Sequence, residues 1–286
     1  MGRPNFVGDA ISQMANGLHV GQFGDYRLAP AFQPIFKKNL FGEFIVHGYE
    51  GLLRASSNGN MIPPNILFGS VAAQDRLFLE CMSQALHIRN YCNATPDKRQ
   101  LFLNVNSAVY AAEDVVDREI GYTVRRLADH GIAHSMAVFE ILETQAHSNG
   151  VLQRLSGFSK DSGIRLAMDD FGTHASDLER YSMLRPSIVK IDRQYFATAF
   201  QHQASGKLLK SLIRQFHDDG AEVLIEGIET ADEWMFAVRS GADMLQGYYL
   251  CKPLLLPHKF TDGPDHIRPC LQAAPAPHRP AYARAN

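Results

Sequence analysis

Apolar positions along the chain gather into eight β-rich runs: Ala31–Phe36, His47–Ala55, Leu101–Asn106, Ala137–Glu143, Arg165–Phe171, Ile188–Arg193, Glu222–Ile228 and Met244–Leu250. Several are nearly continuous rather than alternating, the pattern of strands covered on both faces. Between most of them lie helical patterns. Ser70–Tyr91 carries Val71, Leu77, Leu79, Met82 and Leu86, and Asp114–His130, Gln145–Ser162, Lys207–Asp218 and Asp232–Ser240 follow. Gly131, Gly163, Gly220 and Gly241 stand just past helix ends, where a left-handed residue closes the last turn. Strand–helix alternation of this kind predicts a parallel sheet, and eight strands predict its closure into a barrel. Only Lys37–Val46 joins the first two strands, too short a segment for a helical crossover, so those two form an antiparallel hairpin. The expected fold class is α/β, a modified (β/α)8 TIM-like barrel with one antiparallel strand at the start.

The ends differ from this pattern. Residues 1–28 are polar and Gly-containing, with a short helix expected over Asp9–Met14. Residues 29–257 are expected to form one domain. Residues 258–286 are rich in Pro and Ala, a composition that builds no core and predicts a disordered tail.

Composition narrows the class. Of 286 residues, 45% are apolar and 20% charged, as in globular proteins with a large core. The net charge of −2 carries no basic excess, so neither a nucleic-acid polymer nor a membrane surface is an expected partner. Cys81, Cys92, Cys251 and Cys270 form no C-x-x-C pair, which fits reduced thiols better than a zinc site or a disulfide framework. The N-terminus lacks the basic start and apolar run of a signal peptide, and no stretch is apolar enough to span a bilayer. A cytoplasmic location is therefore expected.

The chemistry sits on the strand ends. Glu50, Asn104, Glu140, the pair Asp169 and Asp170, Lys190, Glu226 and Gln246 lie near the ends or middles of seven runs. One acid in an apolar strand is explained by a structural ion pair, because buried charges are normally paired. Acids on four or five strands of one sheet are not. In a barrel they converge at the C-terminal mouth, where barrel active sites lie. Converging carboxylates need positive charge, and hard oxygen donors suit Mg²⁺ or Mn²⁺. Two adjacent aspartates can serve two ions, as in two-metal phosphoryl-transfer sites.

These residues resemble the EAL domain family of cyclic di-GMP phosphodiesterases, from about Phe32 to Pro253. The naming motif stands as Glu50-Gly51-Leu52-Leu53-Arg54, after Gln33-Pro34-Ile35. Then come Leu103-Asn104-Val105-Asn106, Phe139-Glu140-Ile141-Leu142-Glu143 and Asp169-Asp170-Phe171-Gly172-Thr173. Val189-Lys190-Ile191-Asp192, Glu226-Gly227-Ile228-Glu229-Thr230 and Gln246-Gly247-Tyr248-Tyr249 complete the set. Each motif alone is weak; the ordered set is specific.

The resemblance implies two Mg²⁺ or Mn²⁺ ions, one held by Glu50, Asn104, Glu140 and Asp169 and the other by Asp169, Asp170 and Glu226. It implies that Lys190, Glu226, Asp170 and Glu229 act in catalysis. Gln33, Leu53, Arg54, Gln246 and Pro253 are implied to bind cyclic di-GMP, and Glu143 to anchor the loop after Asp170. Asp192 is read as a structural cap, and a homodimer is expected. The chain departs from the family at four places. Gly51 replaces Ala, Leu142 replaces Thr, and in the loop usually written D-F-G-T-G-x-S-S, His174 replaces Gly and Asp177 replaces Ser. Asp177 is expected to add negative charge near the acids, and His174 to make the loop stiffer. The expected function is hydrolysis of cyclic di-GMP to the linear dinucleotide pGpG. The alternative is a weakly active or inactive module that binds the dinucleotide or a protein partner. A Mg²⁺-enolate barrel lyase shares acids on strand ends but not the ordered motifs.

Overall fold

In the computed structural model of the protein, residues 6–94, 99–110, 112–142, 149–173 and 177–255 are described. Among them are twelve strands: β1 Ile11–Gln13, β2 His19–Phe23, β3 Tyr26–Lys38, β4 Phe44–Ser57, β5 Asn60–Ile62, β6 Gln100–Val105, β7 Ala137–Ile141, β8 Arg165–Phe171, β9 Ile188–Ile191, β10 Glu222–Ile225, β11 Met244–Leu245 and β12 Leu254–Leu255. The helices are α1 Pro64–Ser70, α2 Ala73–Ala94, α3 Glu113–Asp129, α4 Asn149–Ser162, α5 Asp177–Leu184, α6 Arg193–Gln201, α7 Gln203–Asp218 and α8 Ala231–Ser240.

Eight of these strands close a barrel in the order β3, β11, β10, β9, β8, β7, β6, β4, sealed by pairing of β3 with β4. Every neighbour pair from β4 round to β11 is parallel, while β3 runs antiparallel to both β4 and β11. The reversed strand is thus the first barrel strand, as the short Lys37–Val46 connection requires. Each parallel strand is covered outside by helices and inside by its neighbours, so its run is apolar on both faces. Ile35, Phe102, Val138, Ala167, Ile188, Leu224 and Met244 fill the barrel interior, one from each of seven strands. Above that plug the strand ends carry the polar residues.

The expected helix over Asp9–Met14 is not formed. Val7–Ala10 is a short 3₁₀ turn, and Ile11–Gln13 pairs antiparallel with β2. Six residues make a marginal helix, whereas the hairpin turn, closed by Gly17 N–H on the Met14 carbonyl (2.9 Å), satisfies the same backbone groups. Ala10 and Leu28 join a cluster with Leu79, Met82 and Leu86 of α2, which ties the segment before residue 29 to the barrel sheet. β10 and β11 end earlier than their apolar runs, because at residues 226–228 and 246–250 the chain bends across the mouth; Ile228 N–H bonds Gln246 O at 3.2 Å. The tail after residue 257 lies outside the described residues. No helix among the described residues is long and apolar enough to cross a membrane.

Candidate metal centre at the barrel mouth

Lys190, on β9, is the hub of the mouth. Its side chain is 1% exposed, and its Nζ lies 2.6 Å from Glu140 Oε1, 2.7 Å from Glu226 Oε1, 2.8 Å from Asp169 Oδ1 and 3.7 Å from Glu50 Oε1. Those acids come from β7, the chain just past β10, β8 and β4. Parallel strands ending at one face bring them together. Burial pushes the Lys190 ammonium down, but the surrounding carboxylates outweigh burial and hold its pKa well above the ordinary value. Burial, reinforced by the neighbouring acids and only partly opposed by Lys190, holds Glu140 well above the usual carboxylate range and pushes Glu226 up to about 8. One ammonium does not balance four carboxylates.

Asp170 adds a fifth acid. Consecutive strand residues normally point to opposite faces. Here the register of β8 on β9 shifts between Met168 and Phe171, and Asp170 takes a left-handed backbone with φ 56°. The bulge lets both aspartates serve the mouth, and ligand oxygens of Asp169, Asp170 and Glu226 lie within 4.8 Å of one another. All donors are hard oxygens, and Glu140 Oε2 is buried without a hydrogen-bond partner among the described residues. The group fits divalent cations such as Mg²⁺ or Mn²⁺.

The polar neighbours are fixed by hydrogen bonds. Gln246 Nε2 donates to Glu50 Oε2 at 2.8 Å, leaving Glu50 Oε1 toward Lys190. Asn104 Nδ2 donates to the Gly51 carbonyl at 3.3 Å, so its amide oxygen is the atom it can offer a cation. Gln33 pairs with Glu50 in the β3–β4 register and donates to the Cys251 carbonyl at 3.1 Å. Arg54 Nη1 donates to the Leu53 carbonyl at 3.0 Å. The Leu53 side chain is packed with Leu28, Ala55 and Leu79 in the cluster beneath the N-terminal strands. Pro253 is half-buried just before β12, which pairs with β3 at Ala31 and Phe32.

The structure does not bring Glu229 to Lys190. Its carboxylate pairs with Arg193 at 2.7 Å, on the exposed rim. Asp192 caps α6, accepting from the Gln194 and Tyr195 N–H groups, as its reading as a structural cap required. Asp177 is buried rather than loose among the acids: it starts α5 and lies 3.7 Å from Arg180. Glu143 and His174 lie outside the described residues.

Three side chains of α2 were missing from the sequence reading, which gave this helix only as an apolar pattern over Ser70–Tyr91. Gln84 Nε2 donates to the Asn104 carbonyl at 3.1 Å and is itself held by Thr123 Oγ1 at 2.7 Å. Glu80 accepts the Asn106 N–H at 2.9 Å, and burial raises its pKa to about 7. His87 lies against Gly51: a Cβ there would stand 2.8 Å from His87 Cγ. The signal was Glu80, Gln84 and His87 at helical spacing on an otherwise apolar face.

Comparison with known proteins identifies the family and the fold. The EAL domain family model matches residues 21–253. Cyclic di-GMP phosphodiesterase RocR of Pseudomonas aeruginosa is 26% identical over 262 residues, 88% of this chain and 62% of that protein. A manganese and cyclic di-GMP complex of Klebsiella pneumoniae BlrP1 superposes with a TM-score of 0.69 at 25% identity, over 80% of this chain and 56% of that one. A standalone EAL protein from Vibrio cholerae O395 in its c-di-GMP-bound form gives the same TM-score and identity, over 80% of this chain and 93% of that one. The chain spans less than two thirds of the length of the curated relatives it matches.

Proposed function

The chain belongs to the EAL domain family, and from that premise we propose that the protein hydrolyses cyclic di-GMP to linear pGpG with two Mg²⁺ or Mn²⁺ ions at the barrel mouth. The observation that carries this reading is the charge balance at Lys190: one buried ammonium among Glu50, Glu140, Asp169 and Glu226, with Asp170 beside them. An ion-pair network built for stability alone would match its charges.

Glu50, Asn104, Glu140 and Asp169 would hold one ion, and Asp169, Asp170 and Glu226 the other. Ions there supply the missing positive charge, lower the pKa of a nearby water and stabilise charge developing on the phosphoryl oxygens. Lys190, set among these ligands, would donate to the water or to charge developing on the phosphoryl group. Gln246 fixes Glu50 so that one oxygen stays directed inward. Arg54 would exchange the Leu53 carbonyl for a phosphate, which matches its planar fork, and Gln33 would exchange the Cys251 carbonyl for a guanine edge. Pro253 would border the dinucleotide, whereas the Leu53 side chain, packed against Leu28 and Leu79, would not reach it. Glu229, bound to Arg193, takes no part in this charge balance. The homodimer and a cytoplasmic location belong to the same proposal.

Product analysis after incubating the full chain with cyclic di-GMP and Mg²⁺ or Mn²⁺ tests the reading. The expected product is pGpG, none being formed in excess chelator. Tight binding without product would make the protein a receptor of the dinucleotide; neither binding nor turnover would overturn the proposal.

A further inference from the structure

We propose that Asp177 and Arg180 form a buried clamp that positions Asp170 and the end of β7 for metal binding; this rests on the reading of Asp170 and Glu140 as metal ligands. Asp177 Oδ2 accepts the Gly172 N–H at 2.6 Å, two residues after Asp170. The Asp170 carbonyl is itself held by Thr173 Oγ1 at 3.0 Å, so the chain directly after the left-handed Asp170 is bonded at two successive points. Arg180 lies 3.7 Å from Asp177 through Nη1 and donates through Nη2 to the Ile141 carbonyl at 3.2 Å. Ile141 directly follows Glu140 on β7. One guanidinium therefore joins the strand end that carries Glu140 to the turn that follows Asp169 and Asp170.

Both members are buried, Asp177 at 4% exposure and Arg180 at 3%. A buried charge persists only where its partner is fixed, and a charged acceptor makes the stronger and shorter bond to a backbone N–H. A left-handed aspartate is a strained conformation that its surroundings must hold in place. Asp177 is the group placed to do so. A serine, which the family's loop carries here, is neutral and shorter and removes the Asp177 carboxylate from Arg180. The acid that the sequence marks as a departure is thus part of the site's support.

The test compares the full chain with Asp177→Ser, Asp177→Asn, and the double variant Asp177→Ser with Arg180→Met, which removes both charges of the clamp together. Mn²⁺ affinity is measured by calorimetry, kcat and KM for cyclic di-GMP by product formation, and folding by circular dichroism. In each folded variant, Mn²⁺ affinity is expected to fall at least tenfold for one ion and kcat at least tenfold, with KM within about twofold. Should the single variants unfold, the double variant decides. Wild-type Mn²⁺ affinity in a folded variant overturns the clamp, whatever its melting temperature. If the unaltered chain binds Mn²⁺ but forms no product, the phosphodiesterase reading fails, while the Mn²⁺ affinities still decide the clamp.

Discussion

At the floor of the barrel one carboxylate, Glu222 at the start of β10, is shared by two cations, Lys37 from β3 and Arg165 from β8. At the mouth one cation, Lys190, is shared by four carboxylates. The same barrel thus carries opposite imbalances at its two ends. Burial would raise Glu222, but Lys37 and Arg165 outweigh it and hold the carboxylate below its ordinary value. Arg165 also reaches Ser187, donating to its hydroxyl at 3.2 Å and its carbonyl at 3.3 Å. At the mouth burial pushes Glu140 and Glu226 up instead, and one carboxylate oxygen of Glu140 has no donor among the described residues. The floor is a finished contact, partly open to water. The mouth is short of positive charge and buried, an expensive arrangement unless a cation completes it.

The largest expected effect comes from removing the one cation of the mouth. Lys190→Met leaves four carboxylates facing one another without a counter-charge. Turnover is expected to fall by about a thousand-fold, the scale of losing a donor aimed at developing charge. In chelator at pH 8 the unfolding free energy is expected to drop by about 3–5 kcal/mol, the cost of breaking a buried pair. The loss should shrink at pH 6. Acids whose folded pKa is raised contribute stability below their unfolded value and lose it as pH rises through the folded one, near 8 for Glu226. Urea titrations at the two pH values measure this. An unchanged free energy at pH 8 would show that Lys190 is not the counter-charge.

How far this was legible in the sequence follows from the range of the forces involved. The barrel strands announce themselves because burial on both faces requires continuous apolar runs, and the reversed β3 because a short connection admits one geometry. The mouth acids were legible as exceptions within those runs. α5 and α6 were missed: each is short, and Asp192 serves at once as the end of a strand motif and the cap of α6. The edge strands β1, β2, β5 and β12 are two to five residues long and take their pairing from β3 and β4 or from each other, which no local pattern specifies. Partner choice was least legible. Glu229 sits in a mouth motif yet turns to Arg193, and Gln84 lies on a packing helix yet holds the Asn104 carbonyl. Both depend on where distant segments meet.

Two glycines on β4 sharpen the contrast between the ends at intermediate cost. Near the floor, a Cβ on Gly48 would stand 2.7 Å from the Gln100 carbonyl oxygen; near the mouth, one on Gly51 would stand 2.8 Å from His87 Cγ. Either alanine overpacks the site, at about 1–3 kcal/mol. The obstacles differ in kind. Gln100 O belongs to the backbone of the neighbouring strand, and no side-chain truncation removes it. The His87 ring is a side chain. Adding His87→Ala to Gly51→Ala is expected to cost less than the two separate losses together, with a coupling of about 1 kcal/mol or more. Unfolding free energies of the four Gly51/His87 combinations measure it. Strict additivity would mean that His87 does not confine residue 51.

The smallest expected effect tests whether the two ends titrate independently. Glu222→Gln keeps the shape of the floor contact and removes its charge. Because Glu222 is partly exposed, with 28% of its side chain open to solvent, the loss is expected to be about 1 kcal/mol at neutral pH. Its sign with pH is opposite to that of the mouth. A depressed folded pKa contributes stability that is complete above the ordinary value of 4.5 and lost as pH falls through the folded one. The gap between wild type and variant should therefore be constant from pH 6.5 to 8 and close in acid. His47, the titratable neighbour of Glu222, is held below its ordinary value of 6.5 by burial and by Lys37, which favours its neutral form across that window. Glu226, raised to about 8, does titrate there, so both proteins should lose stability in parallel as pH rises. Urea titrations in chelator at half-unit steps give the two curves. If the Glu222→Gln curve is flatter than that of wild type between pH 6.5 and 8, the charge of the floor reaches the mouth, and the ends are one electrostatic system rather than two.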